Sequence, residues 1–325
     1  MHMPLSSQMF SQPSFNTPLR ILLVEDSAGD MMLIKKALER TLHDDYTVEC
    51  ATSVHEATIK LAQYEFDIAL LDRSLPDADG FSGLHTIQNT APHIPVIFLT
   101  AFNDEHTAFE AIEQGAQDYI LKDKIDSYSM KRALQYAILR KHFEGLLIMR
   151  ANFDMQTGLV NRTLFESRLT QALARIKRHG GNLAILFIDL NRFKQVNDTL
   201  GHEMGDTLLK EVGARLKRSL RPYDTTARFG GDEFAILLES ITHKRDGGVV
   251  AQKIIERLDE PFVIAGHTIG IGLSIGISTC SAEDEISMAQ LIKQADAAMY
   301  AAKSDGYSSY CYYGDTPDER LKRMG

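Results

Sequence analysis

Two neighbouring acidic residues follow a pair of glycines in the C-terminal half of the chain. Gly230 and Gly231 separate two strand-like runs, and Asp232 and Glu233 come directly after them. A Gly-Gly pair at such a position predicts a hairpin turn, because glycine accepts positive φ. Asp189 ends an earlier apolar run and could face the same turn, so that two or three carboxylates would meet there. Such a group suits Mg²⁺ bound together with substrate phosphates, whereas the glycines alone indicate only a hairpin.

A second set of polar residues lies at the ends of apolar runs in the N-terminal half. Glu25 and Asp26 close the first run, and Asp72, Thr100 and Lys122 each close a later one. Three carboxylates brought together would repel one another without a hard divalent cation among them, which implies Mg²⁺. An Asp72 carboxylate neutralised in this way could attack a phosphoryl group, with Lys122 and Thr100 binding the new phosphate oxygens. A single Asp here would be better explained as a solvated strand-end charge, but five matches in order argue against coincidence.

The N-terminal residues are positioned by short apolar runs that alternate with helical segments. Residues 21–24 and 68–71 are continuously apolar, as strands covered on both faces must be. Five such strands predict a doubly wound, flavodoxin-like parallel sheet with its ligand site at the carboxyl ends of the strands. The predicted strands are 20–25, 47–51, 67–72, 95–100 and 118–122, with helices such as 30–41 and 54–63 between them.

The C-terminal half has the pattern of a mixed α/β domain with an antiparallel hairpin. A buried strand, 184–189, precedes a stretch, 197–218, that contains a helix. The glycine pair lies between two further strand-like runs, which predicts the hairpin. The other predicted elements are the strands 226–229, 233–238 and 269–278 and the amphipathic helix 288–303.

A long stretch without proline, residues 126–152, joins the two patterns. We interpret it as the last helix of the first domain continued into a helical connector. Its apolar positions predict either a packing seam between two copies of the chain or a helix docked on its own domain. These positions are Leu134, Ile138, Leu139, Phe143 and Leu146.

Composition restricts the classes of function. A chain of 325 residues suits two domains, and its net charge of −9 argues against a nucleic-acid partner. The three cysteines are far apart, which predicts neither a disulfide framework nor a zinc site and fits a reducing cytosol. No apolar run approaches the roughly 20 residues of a membrane span, and residues 1–18 lack a signal pattern. We therefore expect a cytoplasmic protein without a membrane partner, with a disordered leader at 1–18.

The N-terminal set resembles the receiver domain of two-component response regulators. The resemblance covers residues 19–140. It implies that Asp72 accepts a phosphoryl group from a sensor histidine kinase or phosphotransfer protein, and that Glu25 and Asp26 hold Mg²⁺. Further matches after the acceptor are Pro76, Asp77 and Gly80.

The same resemblance implies a switch that responds to phosphorylation. Thr100 and Tyr119 correspond to the pair that reorients, and Lys122 to the phosphate-binding lysine. The family usually has proline after this lysine, whereas this chain has Asp123, a departure that bears on how the lysine is positioned.

The C-terminal half resembles the GGDEF family of diguanylate cyclases over residues 152–310. The matches keep their order and spacing well beyond the five signature residues 230–234. The resemblance implies condensation of two GTP molecules into cyclic di-GMP with release of pyrophosphate, dependent on Mg²⁺ (or Mn²⁺). The matching positions are Asp154, Thr157–Leu159, Asn161–Arg162, Asp189, Phe193–Lys194, Asn197–Asp198, Gly201–His202, Gly205–Asp206, Arg228, Ser274–Gly276, Ala295–Asp296, Tyr300 and Ala302–Lys303.

Site roles follow from the same resemblance. Asp189, the Leu190 carbonyl and Asp232 or Glu233 would hold the metal, and Asp232 would be the base for the ribose 3′-hydroxyl. The substrate-binding set would be Asn197 and Asp206 at the guanine edge, Lys194 and Lys303 at the phosphates, and Gly230 and Gly231 at the turn.

An Arg-x-x-Asp sequence precedes the glycine pair. Arg221 and Asp224 match the family's product-inhibition site, at which cyclic di-GMP binds, with Arg221 nine residues before Gly230. An arginine suits bidentate phosphate binding and guanine stacking. The alternative is a local ion pair, worth only about 0.2–0.5 kcal/mol on a helix.

Three residues depart from the family pattern. Asn191 stands at the second acidic position of the family's Asp-x-Asp, and Gln156 replaces a common leucine; we expect little effect from either. Tyr307 stands where the family often has arginine, which could remove one phosphate contact.

Together these features predict a receiver domain (19–140), a connector (126–152) and a cyclase domain (153–325) whose product requires two sites face to face, hence a homodimer. We expect phosphorylation of Asp72 to bias the dimer through the connector, with either sign. The alternative is a catalytically weak or inactive module that binds cyclic di-GMP or GTP as an effector. A scaffold without any nucleotide role fits the matches less well.

Overall fold

The computed structural model describes residues 18–42, 45–100, 105–304 and 308–316. The chain forms two compact units, residues 1–148 and 149–325. The predicted leader lies outside the described ranges except for Pro18. No helix in the described part of the chain combines the length and the apolar character that a membrane span requires.

A five-stranded parallel sheet forms the first unit, as predicted. Its order is β2-β1-β3-β4-β5, and every neighbouring pair is parallel. The carboxyl ends of β1 and β3 therefore lie side by side. The strands are β1 (Leu19–Val24), β2 (Tyr46–Ala51), β3 (Ile68–Asp72), β4 (Val96–Thr100) and β5 (Asp118–Leu121), and the helices are α1 (Ala28–Leu42), α2 (Val54–Gln63), α3 (Ser82–Thr90), α4 (Glu105–Glu113) and α5 (Ser127–Asn152).

Apolar side chains cover both faces of this sheet. Every residue of β3 and of β4 is buried. Leu22 and Leu71 belong to the core on one face, whereas Ile21 and Leu70 belong to the core on the other. Because successive side chains of a strand point to opposite faces, only a continuously apolar run can serve both cores.

Helix α5 is continuous over 26 residues and begins in the first unit. Its apolar positions divide into a buried and an exposed group. Leu134 is buried and Ile138 packs against the same core, so this part of the helix docks on its own domain. Leu139 and Phe143 are 37% and 54% exposed, as a packing seam between two copies would require.

A six-stranded mixed sheet in the order β13-β12-β7-β9-β8-β6 forms the second unit. Strand β7 is central and pairs antiparallel with both β9 and β12. The strands are β6 (Val160–Asn161), β7 (Asn182–Asn191), β8 (Thr225–Gly230), β9 (Glu233–Ile241), β12 (Gly272–Ser281) and β13 (Ser309–Tyr312), beside the hairpin of β10 (Phe262–Ile264) and β11 (His267–Ile269). The helices are α6 (Arg162–His179), α7 (Phe193–Leu200), α8 (His202–Ser219), α9 (Asp246–Asp259) and α10 (Met288–Lys303).

Most predicted elements differ from the observed ones by one or two residues at their ends, but two are divided in the structure. The helical stretch 197–218 is two helices, because Gly201 adopts φ 88° between α7 and α8. The predicted strand 269–278 is wrong at its start, because Ile269 ends β11 and the long strand begins at Gly272.

Candidate functional site

Three carboxylates gather at the carboxyl ends of β1 and β3. Oxygens of Glu25, Asp26 and Asp72 lie within 4.8 Å of one another, the only such group of three among the described residues. Glu25 and Asp72 are 0% and 5% exposed, whereas Asp26 is exposed. Burial raises the pKa of Glu25 despite the hydrogen bond that it receives from Lys122. Gathered hard oxygen ligands of this kind suit a divalent cation.

Lys122 makes contact with both buried carboxylates. It opens a short 3₁₀ turn directly after β5, and its Nζ lies 2.7 Å from Asp72 Oδ1 and 2.8 Å from Glu25 Oε2. A third ion pair of 2.8 Å joins it to Asp30, which the sequence reasoning missed. Burial opposes the charge of Lys122, but the three hydrogen-bonded carboxylates outweigh it and raise the pKa of the lysine. The lysine thus reaches Asp72 although Asp123, and not proline, follows it.

The two predicted switch residues lie on neighbouring strands. Thr100 ends β4 and is 1% exposed, and its Oγ1 has no hydrogen-bond partner among the described residues. Tyr119 lies on β5 opposite Phe98, is half-buried, and packs against the core on that face. The buried Thr100 hydroxyl, on the strand next to that of Asp72, can donate a hydrogen bond to an oxygen atom bound at Asp72.

The glycine pair of the second unit forms the turn between β8 and β9. Gly230 and Gly231 have φ of 149° and 51°, and both values lie in the positive range that favours glycine. Glu233 pairs with Asp189 across the β7–β9 ladder. The Leu190 N–H donates to the Asp232 carbonyl at 3.2 Å, so the turn is tied to the end of β7.

Negative charge accumulates at this turn. Burial and the nearby Asp189 carboxylate raise the pKa of Asp232. Burial likewise raises the pKa of Glu233, with further contributions from the negative charges of Asp189, Asp232 and Asp296. Asp296 received no role from the sequence, although it lies in a matching motif. Carboxylates that repel one another in a half-buried cleft are suited to hold a divalent cation with phosphate oxygens.

One lysine compensates part of this charge. Lys303, at the end of α10, places its Nζ 2.8 Å from Asp189 Oδ2 and is 39% exposed. Helix α10 reaches this position because it packs directly on Gly276 of β12. A Cβ at Gly276 would lie 2.0 Å from the Ala295 carbonyl oxygen and 2.1 Å from the Met299 nitrogen. The other predicted phosphate-binding lysine, Lys194, is exposed on α7 and has no contact with these carboxylates among the described interactions.

The predicted guanine-binding residues lie on α7 and α8. Asn197 Oδ1 is buried and has no hydrogen-bond partner among the described residues. A Cβ at Gly205 would lie 1.8 Å from this oxygen, so Gly205 provides the room for the amide. Asp206 is exposed and receives a hydrogen bond from Gln156.

Two family models match the chain in succession. The model of the response regulator receiver domain matches residues 21–135. The model described as diguanylate cyclase, GGDEF domain, matches residues 151–309. The chain therefore carries a receiver domain followed by a GGDEF domain.

Known relatives of this receiver–GGDEF protein share one or both of its domains. It is 41% identical over 167 residues to the bifunctional diguanylate cyclase/cyclic di-GMP phosphodiesterase MucR of Pseudomonas aeruginosa, over 51% of this chain and 24% of MucR. It is 29% identical over 252 residues to the response regulator PleD of Caulobacter vibrioides, over 74% of this chain and 55% of PleD. A crystal structure of the GGDEF domain of TpbB from P. aeruginosa is 40% identical and covers 49% of this chain and 99% of that one, with a TM-score of 0.47. The chain thus spans only part of the length of these curated relatives.

The Arg-x-x-Asp sequence of the GGDEF domain forms a turn before β8. The Arg221 N–H donates to Asp224 Oδ2 at 3.0 Å, and the Arg221 guanidinium donates to the Tyr223 hydroxyl at 2.9 Å. Burial raises the pKa of Asp224. No side-chain ion pair within 4.0 Å joins Arg221 to Asp224 among the described residues, although the charge of Arg221 partly offsets the effect of burial on the pKa of Asp224.

Two of the residues that depart from the family pattern can now be compared with the structure: one lies outside the described residues, and the other forms a side-chain hydrogen bond. Tyr307 falls in the undescribed segment 305–307, so the phosphate contact in question is not described. Asn191 accepts a hydrogen bond of 2.9 Å from the Ser274 hydroxyl. The sequence signal for Asp30 was its position four residues after Asp26, which places it in the first turn of α1, at the carboxyl end of β1.

Proposed function

We propose that this protein is a diguanylate cyclase that condenses two GTP molecules into cyclic di-GMP. The observation that carries the proposal is the pairing of Asp189 with Glu233 across the ladder, with Asp232 in the adjoining turn and a raised pKa at Asp232 and Glu233. The match to the GGDEF family supports it. Diguanylate cyclase relatives such as TpbB are 42% identical over 164 residues.

The carboxylates fit a bound Mg²⁺ or Mn²⁺. Asp189, Asp232 or Glu233, and the Leu190 carbonyl would hold the ion, which when bound would neutralise phosphate charge as the new ester forms. Asp232 would accept the proton of the ribose 3′-hydroxyl of the facing GTP. That oxygen then forms the bond to the α-phosphate, and pyrophosphate leaves with the electrons of the broken bond.

The rest of the chain would bind and orient the substrate. Asn197, whose buried Oδ1 has no partner among the described residues, would accept from a guanine N–H together with Asp206. Lys303 would bind phosphate oxygens beside Asp189, and Lys194 is the second candidate. Gly230 and Gly231 would allow the backbone to approach the nucleotide, because neither has a side chain.

The catalytic unit would be a homodimer, since one site holds one GTP. The exposed Leu139 and Phe143 of α5 support a seam between two copies. Incubation of purified protein with GTP and Mg²⁺, followed by chromatography, should yield cyclic di-GMP from wild type and none from Asp232→Asn. Absence of product from dimeric wild-type protein stripped of nucleotide would contradict the proposal and favour the effector module.

Asp72 would be the phosphoacceptor of the receiver, with Glu25 and Asp26 as ligands of its own Mg²⁺. The Asp72 carboxylate would attack the phosphorus of a phosphohistidine donor, the N–P bond would break, and histidine would retain the electron pair. Lys122 would hold the new phosphate oxygens, and Thr100 and Tyr119 would reorient. A cyclase rate and oligomeric state that do not change between wild type and Asp72→Asn under acetyl phosphate would contradict this control.

Arg221 and Asp224 would bind cyclic di-GMP as a feedback inhibitor. Their turn leaves the guanidinium exposed beside the Tyr223 ring, where a guanine could stack. We further propose a cytoplasmic location, where GTP and histidine kinases are available.

A further inference from the structure

A glutamine at the entrance of the GGDEF domain bridges two charged groups of opposite sign. Gln156 Nε2 donates to Asp206 Oδ1, and Gln156 Oε1 accepts from Arg228 Nη1, both at 2.5 Å. Arginine can only donate and an ionised carboxylate can only accept, so the amide has a single orientation in which both bonds form. From the sequence, little effect was expected of glutamine at this position, where the family commonly has leucine.

The arginine at one end of the bridge is fixed. Arg228 is 8% exposed and donates from Nε and Nη2 to the Gly231 carbonyl, at 3.0 and 2.7 Å. It also forms an ion pair of 3.1 Å with Asp154. Burial alone would raise the pKa of Asp154, but hydrogen bonds from Thr157 and the charge of Arg228 hold it below its ordinary value. Gln156 is therefore anchored to a charge pair that also holds the signature turn.

The carboxylate at the other end is free to rotate without the bridge. Asp206 is exposed, and Gln156 is the only hydrogen-bond donor to its side chain among the described residues. A carboxylate has several lone-pair positions, so Asp206 can accept from Gln156 and from a ligand at once. Guanine presents N1–H and its 2-amino group side by side, and both reach the two oxygens of a carboxylate only if its plane is set correctly.

We infer that Gln156 is a positioning residue for base recognition, which sets the plane of Asp206 so that both of its oxygens face the guanine edge. The inference rests on the proposed GTP-using function. Hypoxanthine lacks the 2-amino group and needs one oxygen only, so ITP depends less on the plane of the carboxylate. Gln156 would thus contribute to the preference for GTP over ITP, which a purely structural role would not.

The test compares nucleotide binding by full-length wild type, Gln156→Leu and Gln156→Glu. Calorimetry with 3′-deoxy-GTP and 3′-deoxy-ITP measures binding without turnover, since neither can form the new ester. Gln156→Leu should weaken 3′-deoxy-GTP binding by about threefold to tenfold and 3′-deoxy-ITP binding by less than twofold, the range of one net hydrogen bond. Gln156→Glu keeps an acceptor for Arg228 but repels Asp206, so its loss should be at least as large.

Gln252→Leu, at an exposed glutamine of α9, is the matched control and should leave both affinities unchanged. Equal losses for the two nucleotides, or wild-type affinity in Gln156→Leu, would overturn the inference. Wild type that binds 3′-deoxy-GTP but forms no cyclic di-GMP would contradict the proposed activity while the role of Gln156 is still decided by the binding data. Wild type that does not bind 3′-deoxy-GTP would overturn both.

Discussion

Replacement of Lys122 by methionine tests the charge arrangement of the receiver. The lysine neutralises Glu25 and Asp72, which are 0% and 5% exposed, through contacts of 2.8 and 2.7 Å. Methionine keeps the length of the side chain but leaves two buried carboxylates without their cation. Removing one partner of a buried ion pair costs about 3–5 kcal/mol. We expect the lower end, about 3 kcal/mol, because the lysine is 15% exposed.

The loss of stability in Lys122→Met should decrease as the pH is lowered from neutral. Burial raises the folded-state pKa of Glu25, and without the lysine this pKa rises further. A carboxyl group with a raised folded-state pKa favours folding below its unfolded-state pKa and loses that contribution as the pH rises through the folded-state pKa. The pKa of Lys122 is itself raised, so its charge is present throughout the neutral and acidic range. The difference between Lys122→Met and wild type should therefore be largest at neutral pH and shrink on acidification.

Hydrogen exchange of the β1 and β3 amides measures this difference within the first unit. At pH 7 without divalent ions, about 3 kcal/mol corresponds to roughly 100-fold faster exchange in the variant. Lys36→Met, at an exposed position of α1, is the control and should exchange like wild type. The prediction would be refuted if amides in Lys122→Met exchanged at the wild-type rate, or if the loss of stability in the variant grew as the pH falls.

Three further predictions concern the GGDEF domain. Gly205→Ala places a Cβ 1.8 Å from Asn197 Oδ1, so binding of 3′-deoxy-GTP should weaken by about tenfold or more, as measured by calorimetry. Asp232→Asn should abolish formation of cyclic di-GMP. In metal-free protein at neutral pH it should also raise the unfolding temperature, because burial and the Asp189 charge raise the pKa of Asp232. This gain in unfolding temperature should vanish below the ordinary pKa range of aspartate. Arg221→Ala should raise the concentration of added cyclic di-GMP that halves the initial cyclase rate by about tenfold or more.

Two of these predictions have a matched control variant, and each of the three has an outcome that would contradict it. Gly29→Ala, where a Cβ would have ordinary contacts, should bind nucleotide like wild type, and equal binding by Gly205→Ala would contradict the packing argument. Arg178→Ala, at an exposed position of α6, should keep product inhibition. Product inhibition that persists in Arg221→Ala would contradict the inhibitory site. An unfolding temperature that Asp232→Asn lowers at neutral pH would contradict the raised pKa of Asp232.

The receiver sheet was predictable because its strands are buried on both faces. The predicted strand 67–72 is Ile68–Asp72 in the structure, and its continuous apolar run has no helical periodicity to compete with. The GGDEF domain was less predictable where glycines occur. In the run 269–278, isoleucine or leucine alternates with glycine or serine, which is typical of one strand. The chain nevertheless turns between Ile269 and Gly272, and the short strands β10 and β11 form a separate sheet. Strands of three residues carry too little pattern to be recognised.

The positions of the site carboxylates could be predicted from the sequence, but the lysine that pairs with Asp189 could not. Strand ends and the glycine turn indicate where Asp72 and Asp232 must lie, since topology brings those ends together. The pairing of Lys303 with Asp189 could not be foreseen, because it depends on how α10 packs on β12. The bond from Gln156 to Asp206 spans 50 residues and depends on tertiary packing that no local pattern reports.

The close packing at Gly276 has a consequence for how the sequence of this domain can vary. Since a Cβ there would lie 2.0 Å from the backbone of α10, the distance between helix and sheet is fixed by main-chain atoms. Any side chain larger than hydrogen would push α10 outward and, one turn beyond Met299, carry Lys303 away from Asp189. The position of Lys303 thus depends on a residue that packs against helix α10. Libraries that diversify the residues around Asp189 while leaving Gly276 unchanged should retain far more folded variants than libraries that include it.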